Sequence, residues 1–258
     1  GGFASGPGGI AAWICRRPLV IHEQNSIPGL TNALLSRFAR KVLQGFPGAF
    51  PAAENVITVG NPVRSSIVSS RRPIESFTVP TAFNVLIVGG SRGAATLNSA
   101  VPNVLVDLRL AGMRVRHQCG AENADTTRSA YAHSNLEADV CEFIEDMGGA
   151  YRWASVVICR AGALTVSELA AAGAAAILVP YPHAVDDHQT ANARFLVDEG
   201  AALFVPEGDA FEKRLGESVT KLHADREQLF RIASRAHELS TPDAASVVAA
   251  HCREFLNG

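Results

Sequence analysis

The stretch VVICRAGALTVSELAAAGAAAILV, residues 156–179, indicates the fold class. Two short apolar runs, at 156–158 and 177–179, enclose a glycine-containing turn and an alanine-rich segment. Short runs that lack polar alternation are typical of strands buried on both faces, and the alanine-rich segment 165–172 favours a helix. The order strand, helix, strand predicts a βαβ unit with parallel strands.

The same alternation continues along the chain. Further apolar runs at 19–21, 42–43, 56–59 and 85–88 predict additional buried strands. Predicted helices cover residues 29–40, 94–110, 165–172, 187–199 and 211–223. We therefore expect an α/β protein with doubly wound, parallel sheets.

Composition excludes several classes of protein. The 258 residues are 47% apolar and 19% charged, and no stretch reaches the roughly 18 uncharged apolar residues of a membrane span. A net charge of −2 argues against nucleic acid as a partner. Five cysteines without a Cys-x-x-Cys pair predict neither disulfides nor a zinc site and fit a reducing cytoplasm. We expect no metal and no other cofactor.

Segment 63–81 is rich in Ser, Arg and Pro and predicts a linker between two α/β halves. Glycine-rich stretches at 1–9 and 89–94 are expected to form a loop at the start of each half.

Three loops follow predicted strands, at 89–93, 160–165 and 182–189. In open α/β sheets, ligands bind at the carboxyl ends of the strands, where backbone N–H groups and helix N-termini can approach an anion. These loops combine such donors with polar side chains. They predict a phosphorylated, hydroxyl-rich ligand such as a nucleotide sugar.

Glu168 has two interpretations. Residues 165–168, Thr-Val-Ser-Glu, match a capping box in which Thr165 caps a helix and Glu168 reaches back to the cap N–H. A carboxylate at this edge of a sheet is also the group that binds a ribose diol. One carboxylate cannot fully serve both partners, and the sequence leaves both open.

Seven motifs occur in one order and carry a family resemblance. They are HEQNSIPGLTN (22–32), FPGAF (46–50), GNPVR (60–64), GGSRGA (89–94), FIEDM (143–147), CRAGALTVSELAAAG (159–173) and HAVDDHQTANA (183–193). With this order and spacing, the sequence resembles the MurG family, bacterial N-acetylglucosaminyltransferases of peptidoglycan synthesis.

The resemblance implies the GT-B arrangement, in which two Rossmann-like domains face each other across a cleft. The N-terminal domain is expected to be only partly present, because the family's Thr-Gly-Gly-His loop has no counterpart here. Residues 1–63 would be the second half of the acceptor domain, 64–240 the donor-binding domain, and 241–258 a terminal helix that packs back on the first.

The resemblance also implies an activity. N-acetylglucosamine would pass, with inversion, from UDP-N-acetylglucosamine to lipid I, an undecaprenyl-diphosphate-linked muramoyl peptide, and the product would be lipid II. The enzyme would sit peripherally on the cytoplasmic side of the plasma membrane. Trp13 and the mixed apolar and basic segment 34–41 are candidates for the membrane contact, although their apolar residues could equally be core.

Position by position, the resemblance implies a donor-binding set in which Glu168 holds the ribose. The set is Asn25, Arg64, Ser91, Ile144, Ala163, Leu164, Thr165, Val166, Ser167, Glu168 and Gln189, with His188 as a further candidate. No catalytic base is assigned, because the family's best candidate lies in the loop without a counterpart.

Two alternatives remain at this stage. One is a module that binds a nucleotide sugar without transferring it. The other is a serine hydrolase, in which Ser91 occupies a G-x-S-x-G turn and Asp186 or Asp187 with His188 completes a triad. Adjacent acid and histidine residues make that triad geometrically awkward.

Overall fold

The structure, a computed structural model, describes residues 5–70, 82–90, 94–132, 136–184 and 187–255. Its strands form two sheets in which each pairing is parallel. The first sheet contains β1 (Val20–Glu23), β2 (Lys41–Gln44) and β3 (Val56–Thr58), in that order. The second contains β4 (Phe83–Val88), β5 (Met113–Gln118), β6 (Glu137–Cys141), β7 (Val156–Cys159), β8 (Ala176–Leu178) and β9 (Leu203–Phe204), in the order β6-β5-β4-β7-β8-β9.

Helices connect and cover these strands. They are α1 (Ser5–Ile14), α2 (Leu30–Leu35), α3 (Ser65–Val68), α4 (Ala95–Leu108), α5 (Ala124–Tyr131), α6 (Met147–Trp153), α7 (Ala163–Ala172), α8 (His188–Val197), α9 (Phe211–Ala224), α10 (Arg226–Glu238) and α11 (Ala244–Arg253). We call residues 5–58 the first lobe and residues 65–239 the second lobe.

The second sheet is covered on both faces. Alternate residues of a strand point to opposite sides, so Val85 and Ile87 of β4 join one apolar core while Leu86 joins the other. All four residues of β7 are buried, which explains the continuous apolar run in its sequence. The predicted parallel α/β architecture is confirmed.

Strands β5, β6 and β9 were not predicted. In β5, Arg114 and Arg116 alternate with apolar residues, and each arginine pairs with a carboxylate on the neighbouring strand β6, at 3.3 Å for Arg114–Glu137 and 3.1 Å for Arg116–Asp139. These exposed cross-strand pairs interrupt the apolar run that marked the central strands.

The prediction of a glycine loop over residues 1–9 is wrong from Ser5 onward, where α1 begins. Pro7 lies in the first turn of α1, where its missing N–H costs no helical hydrogen bond. Gly9 allows close packing on α2, because a Cβ there would lie 2.7 Å from Leu35 Cδ1.

The predicted helix 29–40 ends early, at Leu35. A tighter turn follows it, in which Phe38 N–H donates to Leu35 O (3.0 Å).

The two lobes are connected by two chain segments that touch. Gly60 has a φ of +82°, and a Cβ at this position would overlap the Thr241 side chain. Beyond Thr241, α11 is tied to β2 because Lys41 Nζ lies 2.5 Å from Glu254 Oε2. The division of the chain at residues 63/64 and 240/241 stays a prediction.

A buried polar cluster around His117 lies inside the second lobe. His117 is fully buried, with Nδ1 3.0 Å from the Tyr131 hydroxyl and Nε2 3.1 Å from Asn98 Oδ1. A neutral ring with its proton on Nε2 satisfies both contacts. Burial lowers the pKa of His117 to about 4 from its ordinary 6.5.

We predict that His117 makes the folded state less stable in acid. Because the unfolded chain binds this proton more tightly, the free energy of unfolding should fall by up to roughly 3 kcal/mol as the pH drops from about 6.5 to about 4. Urea unfolding across this range tests the prediction. In His117→Gln the free energy of unfolding should change less across this pH range. An equal fall in the wild type and in His117→Gln would contradict the prediction.

Candidate functional site

Parallel pairing brings the carboxyl ends of the strands in the second sheet to one edge. Helix α7 starts there, directly after β7. Gly162 is its N-cap in extended backbone (ψ 145°), and the first hydrogen bond of the helix runs from Val166 N–H to Gly162 O (2.9 Å). The N–H groups of Ala163, Leu164 and Thr165 thus have no hydrogen-bond acceptor within the helix. They form the positive end of the helix dipole.

Glu168 is not part of a capping box. The helix starts two residues before Thr165, no side chain caps it, and Glu168 lies in its second turn. Its carboxylate instead accepts a hydrogen bond on Oε2 from the Tyr151 hydroxyl (3.0 Å), while Oε1 lies 3.5 Å from Arg64 Nη2. The structure therefore brings together two of the predicted site residues, Arg64 and Glu168.

Tyr151 was missed in the sequence. It lies on α6, is only 2% exposed, and belongs to the apolar core beneath α7. Burial, together with the nearby Glu168 charge, raises the pKa of its hydroxyl well above the ordinary value. The hydroxyl thus keeps its proton and can act as a donor to the carboxylate.

An asparagine of α8 connects the lobes. Asn192 is 1% exposed; its Oδ1 accepts from Ser26 N–H (2.8 Å), and its Nδ2 donates to Asn25 Oδ1 (3.2 Å) and Ala161 O (3.3 Å). Asn25, a predicted site residue, is therefore held next to the loop that leads into α7. Apart from its place in a polar motif, Asn192 carries no signal in the sequence.

The buried acid of the HEQN motif has a structural role. Glu23 is 3% exposed, and its carboxylate accepts four hydrogen bonds, from Asn25 N–H (2.9 Å), Asn25 Nδ2 (3.2 Å), Gly29 N–H (3.1 Å) and Asn32 Nδ2 (2.9 Å). These bonds give both carboxylate oxygens of Glu23 hydrogen-bond donors, and they fix the loop that carries Asn25.

A second interlobe contact involves Ser167. Asn61 Nδ2 donates to Gln24 O (2.9 Å) and to Ser167 Oγ (3.1 Å), and Ser167 Oγ in turn donates to Ala163 O (2.9 Å). The Ser167 hydroxyl is thus engaged within the protein. An apolar contact lies nearby, between the rings of Phe46 and Phe195, whose centroids are 4.8 Å apart.

Gln118, another residue missed in the sequence, ties two loops together. It is 3% exposed at the end of β5; Oε1 accepts from Gly90 N–H (2.9 Å), and Nε2 donates to Gly90 O (3.0 Å) and Glu142 O (2.8 Å). Gly90 precedes Ser91, which lies outside the described residues. Glu142 belongs to the loop that contains Ile144, a site candidate that is 9% exposed.

Gln189 also bridges loops. Its Oε1 accepts from Ala161 N–H (3.2 Å) and Tyr181 N–H (2.9 Å), which joins the loop before α7 to the residues after β8. His188 opens α8 directly after Asp187, which has a φ of +53°. Asp186, like Ser91, lies outside the described residues, so the geometry of the hydrolase triad is not described.

Comparison with known proteins identifies the family. The family model "Glycosyltransferase family 28 C-terminal domain" matches residues 84–248, and "Glycosyltransferase family 28 N-terminal domain" matches residues 1–44. The crystal structure of Acinetobacter baumannii MurG superimposes with a TM-score of 0.88 and 42% identity, covering 98% of this chain and 72% of that one. The chain belongs to the MurG family.

Curated relatives agree. A UDP-N-acetylglucosamine--N-acetylmuramyl-(pentapeptide) pyrophosphoryl-undecaprenol N-acetylglucosamine transferase of Aeromonas hydrophila is 51% identical over 259 residues, which cover 100% of this chain and 71% of that protein. The protein of the same name from Shewanella amazonensis is 52% identical, with 99% and 71% covered. The resemblance to the MurG family and the predicted GT-B arrangement are confirmed.

We predict that Gln118→Leu destabilises the protein by about 2–4 kcal/mol, because three main-chain groups of two loops lose their hydrogen-bond partner while the side-chain volume changes little. The measurement is urea unfolding. The exposed Gln24 supplies the control, since Gln24→Leu should change the free energy of unfolding by less than about 0.5 kcal/mol. Equal effects of the two substitutions would show that Gln118 does not hold the loops.

Proposed function

We propose that this chain transfers N-acetylglucosamine from UDP-N-acetylglucosamine to lipid I, with lipid II as the product. The observation that carries the proposal is the 45–52% identity to relatives that bear this activity in their name. The oxygen of an acceptor hydroxyl attacks the anomeric carbon and loses its proton, the bond between that carbon and the diphosphate oxygen breaks, and UDP leaves with the electron pair of the broken bond. The configuration at the anomeric carbon inverts.

The main electrostatic task is to stabilise the leaving diphosphate. The N-terminal N–H groups of α7, at residues 163–165, are fixed donors that need no reorganisation during the reaction. The Arg64 guanidinium lies 3.5 Å from Glu168 of the same helix, and 58% of the arginine side chain is exposed, so it can turn toward a phosphate. We assign Ser91 to the same group of phosphate ligands from its place in the glycine loop.

The remaining candidates divide by chemistry. Glu168 presents carboxylate oxygens, which suit the two donors of a ribose diol. Ile144 offers an apolar wall and its backbone to the uracil. The NH2 group of Gln189, with Asn25 and His188, is assigned to the hydroxyls of the transferred sugar. No residue is assigned as the general base.

The domain assignment follows from the same proposal. We assign residues 1–63 to the acceptor side, residues 64–240 to the donor side and residues 241–258 to a terminal segment that packs on the first lobe. The contact between Lys41 and Glu254 supports the last assignment. The cleft between the lobes would then hold the donor sugar and the acceptor hydroxyl together.

We predict that Glu168→Gln weakens UDP-N-acetylglucosamine binding by about tenfold to a hundredfold, because a charged acceptor of the ribose hydroxyls becomes a neutral amide. Calorimetric titration measures the affinity, and thermal melts check the fold. The control, Glu212→Gln, changes an exposed acid of α9 and should leave binding unchanged. Unchanged affinity in Glu168→Gln would remove Glu168 from the donor site.

The same samples test transfer. Incubation of the wild-type chain with UDP-N-acetylglucosamine and lipid I should release UDP and give lipid II. Donor binding without UDP release would favour the alternative of a binding module that does not transfer.

We also propose peripheral contact with the cytoplasmic membrane face, through an apolar surface on α1, α2 and the turn that follows α2. The surface consists of Ile10, Trp13, Ile14, Leu34 and Phe38, which are 41%, 52%, 67%, 47% and 39% exposed. The Trp13 and Phe38 rings pack together, with centroids 4.9 Å apart, and Arg16, Arg17, Arg37 and Arg40 lie next to them in sequence. Of the neighbouring apolar residues, Leu35 is core at 2% exposure.

This composition suits the interface of an anionic bilayer, where apolar side chains enter the headgroup region and arginines meet phosphate. Within the described residues, no helix combines the length and the apolar character needed to cross a membrane.

We predict that the chain sediments with vesicles that contain anionic lipid, and that Trp13→Ala and Arg37→Glu each reduce the bound fraction severalfold because they remove apolar burial and charge attraction. Lys213→Glu on α9 makes the same charge change at an exposed position of the second lobe and should bind like the wild type. If Trp13→Ala and Arg37→Glu sediment with vesicles as the wild type does, this surface is not the membrane contact.

A further inference from the structure

The contact between Tyr151 and Glu168 joins two helices beneath the proposed ribose site. The phenol is buried on α6, while the carboxylate on α7 keeps 18% of its side-chain surface exposed. The donor hydroxyl therefore approaches the acid from the core, at 3.0 Å from Oε2, and Oε1 lies on the side of Arg64. The two oxygens of one carboxylate thus have different surroundings.

The hydrogen bond serves both side chains: it gives the buried Tyr151 hydroxyl an acceptor, and it restricts the rotamers of Glu168. An unpaired buried hydroxyl costs free energy, so the phenol strongly favours the one rotamer of Glu168 that reaches it. A free glutamate would have to give up rotamer freedom when a ligand binds. The hydrogen bond removes that cost in advance, because Glu168 is already held when the ligand arrives.

Arg64 cannot provide this constraint in the liganded state. Its guanidinium is 3.5 Å from the carboxylate, mostly exposed, and assigned to the diphosphate. A side chain that turns toward a phosphate loses part of its contact with Glu168. Tyr151, enclosed by the core, has no such alternative and remains the fixed partner of the acid.

From this geometry we infer that Tyr151 is a positioning residue for the nucleotide ribose: its hydroxyl holds Glu168 so that the carboxylate meets the two ribose hydroxyls. The inference rests on the proposed function, in which Glu168 binds the ribose of the donor. Tyr151 itself does not touch the ligand. Its effect should therefore depend on the presence of the ribose hydroxyls.

The experiment compares UDP with 2′,3′-dideoxy-UDP by calorimetric titration of the full chain, with thermal melts alongside. Tyr151→Phe removes only the hydroxyl. We expect it to raise the Kd of UDP about fivefold to thirtyfold, as loss of a hydrogen bond to a charged group does, and to change the Kd of the dideoxy nucleotide less than twofold. Combined with Glu168→Gln, it should add no further loss, because both changes break one unit.

Tyr131→Phe is the matched control. Tyr131 is also a buried tyrosine of the second lobe, 4% exposed, but its hydroxyl contacts His117. This variant should bind both nucleotides like the wild type. The ratio of the dissociation constants of UDP and 2′,3′-dideoxy-UDP does not depend on the folded fraction. A partly unfolded variant therefore still tests whether the effect requires the ribose hydroxyls.

Several results would overturn the inference. Equal UDP affinity in Tyr151→Phe, an equal loss for both nucleotides, or a variant that does not fold would each make the hydroxyl a purely structural group. A wild-type chain that binds neither nucleotide would overturn the proposed function itself. A wild type that binds both equally would remove only the ribose role of Glu168, and with it the role of Tyr151.

Discussion

Parallel pairing is the constraint on which the rest of the molecule depends. Each paired strand in the described residues runs parallel to its neighbour, so every connection must cross over and return to the same starting edge. The loops that leave the carboxyl ends therefore gather on one side, although they are far apart in the chain. The start of α7, the Gly90 turn and the loop before α8 meet there for this reason, and the first lobe packs against the same side through Asn192 and Asn61.

Most polar side chains at that edge hold the protein together. Glu23, Gln118 and Asn192 are almost fully buried, and each satisfies several main-chain or side-chain groups of neighbouring loops. Buried polar networks of this kind fix one geometry because an alternative arrangement leaves groups unpaired. Among the described residues, the groups that can still exchange partners include the first N–H groups of α7, the exposed guanidinium of Arg64 and the partly exposed carboxylate of Glu168. That difference separates the framework from the groups to which we assign ligand binding.

The sequence predicted the central architecture because buried parallel strands are continuous apolar runs, as β4 and β7 are. It did not predict β5 and β6, whose arginines and acids alternate with apolar residues, or α1, whose three glycines resemble a loop. The motifs named both Glu168 and Arg64, which the structure places 3.5 Å apart, but the capping-box pattern misplaced the start of α7. Tyr151, Gln118 and Asn192 carry no local pattern, because their roles depend on contacts across 17, 28 and 166 residues of chain. Local sequence periodicity does not predict contacts between residues that lie far apart in the chain.

The crossing of the chain at Gly60 and Thr241 has a mechanical consequence. Two connecting segments that touch act as a pivot, and rotation of one lobe about this pivot stretches neither segment. Sliding of one lobe along the other would stretch both segments. The far rim of the cleft therefore travels through the longest arc for a small angular change at the crossing, as the tip of a lever does.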